Sequence, residues 1–287
     1  MNTIVSTSWL ADHLDDPDVR IVDATWHMPG TNRDAAAEFA EAHIPGAVFF
    51  DIDDIAAPES RTPGGLPHML PPPGLFAEKM AALGIGNDSF VVCYDVHGLM
   101  SAARAWWMLR AFGHDGVAVL DGGLPAWKAE GRPLESGVPA PAPARFTPHL
   151  RPALIRGKAE ILAGKAGTLI DARARERFEG TAPEPRPSLR GGHIPGALNL
   201  PFGDLLDPST KTLLPPEVIA ARFAAAGLPE SGPVTASCGS GITACVLALG
   251  LHRIGREDAA VYDGSWSEWG LPGDTPVETG PAAGRRA

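Results

Sequence analysis

His43-Ile44-Pro45-Gly46-Ala47 returns unchanged as His193-Ile194-Pro195-Gly196-Ala197, at an offset of 193 − 43 = 150. Two further matches flank it in the same order. Upstream, Ile21-Val22-Asp23-Ala24 pairs with Leu169-Ile170-Asp171-Ala172. Downstream, Asp121-Gly122-Gly123 followed by Trp127 pairs with Asp263-Gly264-Ser265 followed by Trp269. Ordered matches at slowly drifting offsets mark a duplicated unit with small insertions. Between the copies, Gly137-Val138-Pro139-Ala140-Pro141-Ala142-Pro143-Ala144 alternates proline and alanine. That composition resists helix and sheet ladders and favours an extended connection. The chain is expected to divide into residues 1–137, a linker at 138–150 and residues 151–287.

Each half alternates short apolar runs with helical stretches. In the first, Ile21-Val22, Val91 to Tyr94 and Val117 to Leu120 read as buried strands, and Ser101 to Phe112 as a helix. In the second, Leu169-Ile170, Val234 to Ala236 and Ala259 to Tyr262 are the strands and Ala244 to Ile254 the helix. Strands alternating with helices predict an α/β fold: two similar domains, each a mainly parallel sheet with helices on both faces. Ligands of such sheets bind beyond the carboxyl ends of the strands.

Composition narrows the function classes. With 287 residues, 44% hydrophobic and 20% charged, the chain is globular rather than disordered. A formal net charge of −10 without a Lys/Arg run disfavours nucleic acid and anionic membranes as partners. No stretch reaches the ~20 apolar residues that span a bilayer. Met1-Asn2-Thr3-Ile4-Val5-Ser6 lacks the basic and apolar regions of a secretory leader, so a cytoplasmic location is expected. Cys93, Cys238 and Cys245 match no zinc-site spacing, and three cysteines cannot all pair.

Duplication supplies an internal control. Features present in both halves, namely His43 and His193, Asp23 and Asp171, the Asp-Gly turns and Trp127 and Trp269, are expected to serve the fold. The main difference follows the strand Val234-Thr235-Ala236, where the second half reads Ser237-Cys238-Gly239-Ser240-Gly241-Ile242-Thr243-Ala244-Cys245. The first half reads Tyr94-Asp95-Val96-His97-Gly98-Leu99-Met100-Ser101, with Asp95 in place of the thiol. Gly239 and Gly241 allow a tight curl with inward N–H groups, opening a helix whose positive end favours an anion. An ordinary thiol is only roughly 3% ionised at pH 7. Making the thiolate dominant takes about 2.7 kcal/mol, more than a helix terminus alone supplies, so the loop amides must contribute. Cys245 and Cys93 read as packing residues.

The loop, the paired His-Ile-Pro-Gly-Ala segments, Ala105 to His114 and Asp263-Gly264-Ser265-Trp266-Ser267-Glu268-Trp269 together resemble the tandem-rhodanese sulfurtransferases, closest to their 3-mercaptopyruvate branch. The resemblance implies two rhodanese-like domains, the second catalytic, with sulfur carried as a persulfide on Cys238. It implies a small-molecule sulfur donor, a thiol acceptor, thioredoxin-like by analogy, and no metal or organic cofactor. The thiosulfate branch typically places basic residues directly after the cysteine. Gly239 and Ser240 are neutral, which points to 3-mercaptopyruvate, with thiosulfate as the alternative donor. Arg177 and Arg186, around Phe178-Glu179-Gly180-Thr181-Ala182-Pro183-Glu184-Pro185, match the family's substrate-binding arginines; Gly239, Gly241, Ile242 and Thr243 complete the binding loop. A Ser–His–Asp set maps onto Ser240, His68 and Asp53, with Asp51 or Asp54 as substitutes for Asp53. Arg173, Arg175 and Arg190 read as solvated surface residues. Two rivals remain. A cysteine phosphatase would need an arginine where Ala244 stands, and a non-catalytic rhodanese-like module would commonly lack the thiol.

Overall fold

The computed structural model describes residues 3–282, which fall into two compact units. The first takes the chain up to Pro58, Leu70–Arg151 and Pro208–Leu213. The second takes Glu59–Met69, Pro152–Asp207 and the chain from Leu214 onward. Two short segments thus depart from chain order, and one of them carries His68 into the second unit.

Each unit is built on a five-stranded sheet in which every pairing is parallel, as the alternating pattern predicts. In the first, β1 (Ile4–Val5), β2 (Val19–Asp23), β3 (Val48–Phe49), β4 (Phe90–Tyr94) and β5 (Val117–Leu120) lie in the order β1-β5-β4-β2-β3. In the second, β6 (Ile155–Arg156), β7 (Thr168–Asp171), β8 (Leu198–Asn199), β9 (Val234–Ser237) and β10 (Ala260–Tyr262) lie in the matching order β6-β10-β9-β7-β8. The central strands β4 and β9 are continuous apolar or small-residue runs because helices cover both their faces. The two-residue edge strands β1, β3, β6 and β8 escaped the sequence reading, since two residues cannot display a period. Residues 138–150 have no regular structure and lie along the first unit, held by Ala144 N–H to Ala81 O (3.0 Å) and His149 N–H to Phe112 O (2.8 Å). Among the described residues no helix is long and apolar enough to cross a membrane.

The repeated pentapeptide does the same work twice. His43 donates from Nδ1 to Phe39 O (2.7 Å), stacks on the Phe39 ring and exchanges both backbone bonds with Glu135. His193 donates to Phe178 O (2.9 Å), stacks on Phe178 and exchanges the same pair with Glu278. Trp127 and Trp269 each donate Nε1–H at 2.7 Å to a carbonyl, of Pro133 and Pro276 respectively. These shared residues stitch the end of each unit to its sheet, the structural role expected of them.

Asp23, at the end of β2, is buried with the Thr25 N–H, the Thr25 hydroxyl and the Tyr94 hydroxyl around it. Burial dominates those bonds and pushes its carboxyl from an ordinary 3.8 up to about 6. The folded chain therefore keeps this proton to higher pH than the unfolded chain. Stability falls as pH rises through that window, by roughly 3 kcal/mol in full. Melting curves of wild type and Asp23→Asn at pH 4 and pH 7 test this. Wild type should lose several degrees relative to the variant at the higher pH, and parallel shifts of the two proteins would contradict it.

Candidate active site

Strand register fixes which residues of the two halves correspond. Asp23 lies opposite Tyr94 in β4, and Asp171 opposite Ser237 in β9. The next residues, Asp95 and Cys238, therefore occupy the same place at the carboxyl end of the central strand. Two bonds repeat the equivalence: Leu124 N–H donates to Asp95 O and Trp266 N–H to Cys238 O, each at 3.0 Å.

The first unit shows what this loop does to a negative charge. Asp95 is fully buried, and its carboxylate accepts the backbone N–H groups of His97, Met100 and Ala102, each at 2.8 Å. The last opens the helix Ala102–Ala111, so loop amides and a helix terminus converge on one anion. The second loop is one residue shorter. Counted forward from Cys238, Ser240 matches His97; counted back from the helix start, Ile242 and Ala244 match Met100 and Ala102. Among the described residues the N–H groups of Ser240, Ile242 and Ala244 enter no backbone hydrogen bond. The positions whose amides grip a carboxylate in one unit thus follow the thiol in the other, without backbone partners of their own.

Cys238 itself is 1% exposed. Its N–H donates to Ser265 Oγ at 3.2 Å, and that hydroxyl lies 4.0 Å from its Sγ. Ser265 has a left-handed backbone with φ 48°, where the first unit uses Gly123 at φ 54°. A side chain in that region costs on the order of 1–3 kcal/mol and persists where the surroundings impose it. Sequence comparison grouped Ser265 with the fold; the structure places its hydroxyl against Cys238. The signal was the serine standing where the first copy has glycine.

The rest of the loop explains its composition. Gly241 has φ 80°, a conformation that favours glycine. A methyl group on Gly239 would stand 3.2 Å from Nη2 of Arg177, so the missing side chain lets that guanidinium lie on the loop. Ser240 and Ile242 are buried, and Thr243 is half-buried just before the helix Ala244–Arg253. Cys245 is buried with its Sγ–H directed at Gly241 O (3.2 Å). Cys93 is fully buried, and desolvation pushes its thiol far up. Both are packing residues.

Behind the loop lies an ionic network that corrects one expectation. Arg173 is no surface residue: it is 2% exposed, with Nε and Nη2 on the Asp171 carboxylate, Nη1 on Glu184 (2.8 Å), and Trp266 4.3 Å beneath its guanidinium. Burial opposes its charge, but Asp171 and Glu184 more than offset this and hold its pKa above the usual value. Arg190 is half-buried and bonds to the carbonyls of Trp269, Gly270 and Thr275. Arg175 alone of the three is exposed. Arg177 binds the same Glu184, Nη2 to Oε2 at 2.6 Å and Nε to Oε1 at 3.3 Å. Arg186 is half-buried two residues further along.

The hydroxyl–imidazole–carboxylate set is only partly assembled within one unit. His68 is buried, has φ 62°, and its Nδ1 lies 3.3 Å from the Ser240 carbonyl oxygen, so the contact runs through the backbone and not the hydroxyl. With Nδ1 donating, a neutral ring leaves Nε2 unprotonated. Asp53 belongs to the first unit, where its carboxylate accepts Trp26 Nε1–H (3.2 Å). Asp51 spends its carboxylate on the N–H groups of Asp53 and Asp54 at the start of the helix Ile52–Ile55, and Asp54 pairs with Lys79.

Comparison with known proteins gives one answer. The model of the Rhodanese-like domain matches residues 6–130 and again 157–271. The human protein named 3-mercaptopyruvate sulfurtransferase is 45% identical, over 93% of this chain and 91% of its own. The Arabidopsis thaliana protein named thiosulfate/3-mercaptopyruvate sulfurtransferase 1, mitochondrial, is 44% identical over 96% of this chain and 78% of its own. A crystal structure of the Escherichia coli 3-mercaptopyruvate sulfotransferase superimposes with a TM-score of 0.83 at 38% identity, covering 93% of this chain and 99% of that one.

Removing the Asp95 carboxylate would leave three backbone donors without their acceptor, at about 1–3 kcal/mol for each that stays buried. Asp95→Ala should lower Tm by roughly 6 °C or more. A melting curve within about a degree of wild type would show that the loop amides gain little from the anion.

Proposed function

The chain belongs to the rhodanese-like domain family, with two copies in tandem, and on that premise we propose a sulfurtransferase that takes sulfur from 3-mercaptopyruvate onto Cys238 and passes it to a thiol. The observation that supports this reading is the paired loops: three backbone N–H groups hold the Asp95 carboxylate in one unit, and in the other Cys238 stands in its place, followed by matching amides that enter no backbone hydrogen bond among the described residues.

The Cys238 thiolate attacks the donor sulfur. The S–S bond forms as the carbon–sulfur bond breaks, and the bonding pair leaves on carbon as the enolate of pyruvate. The proton of the donor thiol ends on that carbon, giving pyruvate and a persulfide anion; Ser240 and His68 are the groups we assign to its passage. The anion is then held by the N–H groups of Ser240, Ile242 and Ala244, with the Ser265 hydroxyl beside the inner sulfur. A second thiolate attacks the outer sulfur, leaves as a persulfide and returns Cys238 as thiolate. Arg177, lying on Gly239, and Arg186 are assigned to the donor carboxylate, for which a planar guanidinium is the matching partner. Asp53 completes the set by resemblance alone, and a thioredoxin-like acceptor and a cytoplasmic site are parts of the proposal with the same support.

Thiosulfate is the second reading, since the Arabidopsis relative carries both donors in its name. Against it stand Gly239 and Ser240, which add no cation to a loop that would receive a dianion. Donor competition under identical conditions decides between them. We expect higher kcat/KM with 3-mercaptopyruvate, a gain of one sulfur atom on Cys238 by mass spectrometry, and neither in Cys238→Ser. Preference for thiosulfate would overturn the donor, and turnover by Cys238→Ser would overturn the mechanism.

A further inference from the structure

Glu184 joins the buried interior of the second unit to the guanidinium lying on the Cys238 loop. Its side chain is 1% exposed and lies between two cations. On one side Arg173 is immobilised: Asp171 holds it through Nε and Nη2, Gly192 O accepts from Nη2 at 2.8 Å, and the Trp266 ring lies beneath. On the other side Arg177 is 23% exposed and reaches Gly239. A long, partly solvated arginine has many rotamers, and an acceptor fixed from behind selects among them.

The repeat again serves as control. The first unit keeps the aspartate, Asp23, but has Thr25 where Arg173 stands, and among the described residues no arginine binds its carboxylate. Burial, with no such cation beside it, pushes the Asp23 carboxyl up to about 6 despite its hydrogen bonds to Thr25 and Tyr94. Burying the three charges of Asp171, Arg173 and Glu184 is costly to assemble, and among the described residues this network belongs to the copy that has the Cys238 loop.

We infer that Glu184 is a positioning residue for the sulfur donor, an inference resting on the sulfurtransferase reading above. By occupying Nε and one Nη2 hydrogen of Arg177, it leaves the Nη1/Nη2 edge of that guanidinium for the donor carboxylate. Arg173 and Asp171 act one step further back, keeping Glu184 in place.

A double-mutant cycle with 3-mercaptopyruvate as donor and cyanide as acceptor tests it, using wild type, Glu184→Gln, Arg177→Ala and the double variant. Glu184→Gln should raise KM roughly tenfold or more, with a smaller fall in kcat, because one acceptor must now serve two arginines. On the Arg177→Ala background the same substitution should change KM by less than about twofold, since the residue it acts through is gone. Equal increases in KM on both backgrounds, or an unchanged KM, would overturn the assignment. Should Glu184→Gln not fold, Glu184→Asp, which keeps the charge but shortens the reach, runs the same cycle with the same criteria. Wild type that releases no pyruvate from 3-mercaptopyruvate would remove the donor reading and Glu184's role together; wild type that turns over with an additive cycle removes only the latter.

Discussion

Three backbone N–H groups of one short loop converging on the Asp95 carboxylate are the interaction on which the comparison of the two units depends. The loop sits at the carboxyl end of the central strand because a parallel sheet directs the following helix terminus there. In the first unit the Asp95 side chain accepts all three of these N–H groups. In the second Cys238 stands where Asp95 does in the first, and we propose that its sulfur takes up one atom and gives it away. On that proposal one loop serves as a structural knot in one copy and as the basis of a group-transfer site in the other.

The second copy carries costs that the first avoids. Ser265 accepts a left-handed backbone where Gly123 suffices, and Arg173 is buried with two carboxylates where Thr25 suffices. Both departures lie against the reactive loop: Ser265 on Cys238, and Arg173, through Glu184, on the arginine that covers Gly239. Backbone strain at Ser265 and the buried Arg173 network gather at one place in the second unit, as the proposed site would require of its fold.

Much of this was legible in the sequence because duplication printed the fold twice. The repeated pentapeptide located both copies, the buried strands β2, β4, β5, β7, β9 and β10 appeared as apolar runs, and the cysteine stood out against Asp95. What stayed hidden depends on folding in three dimensions. Arg173 among its charged neighbours looks like any surface arginine; only the closing of Glu184 and Asp171 around it makes burial tolerable. Ser265 hid inside a motif shared by both halves, and its effect comes from a backbone angle that composition does not reveal. The passage of Glu59–Met69, with His68, into the second unit is a property of topology that no local pattern records. The three bonds to Asp95 required coordinates, though the substitution of an anion for the thiol was already visible.

The most direct measurement is a high-resolution structure of the protein after treatment with 3-mercaptopyruvate. We predict an added sulfur on Cys238 within hydrogen-bond distance of the amide nitrogens of Ser240, Ile242 and Ala244, in the place that the Asp95 carboxylate fills in the first unit. A sulfur turned away from those amides, or carried by a different residue, would contradict it.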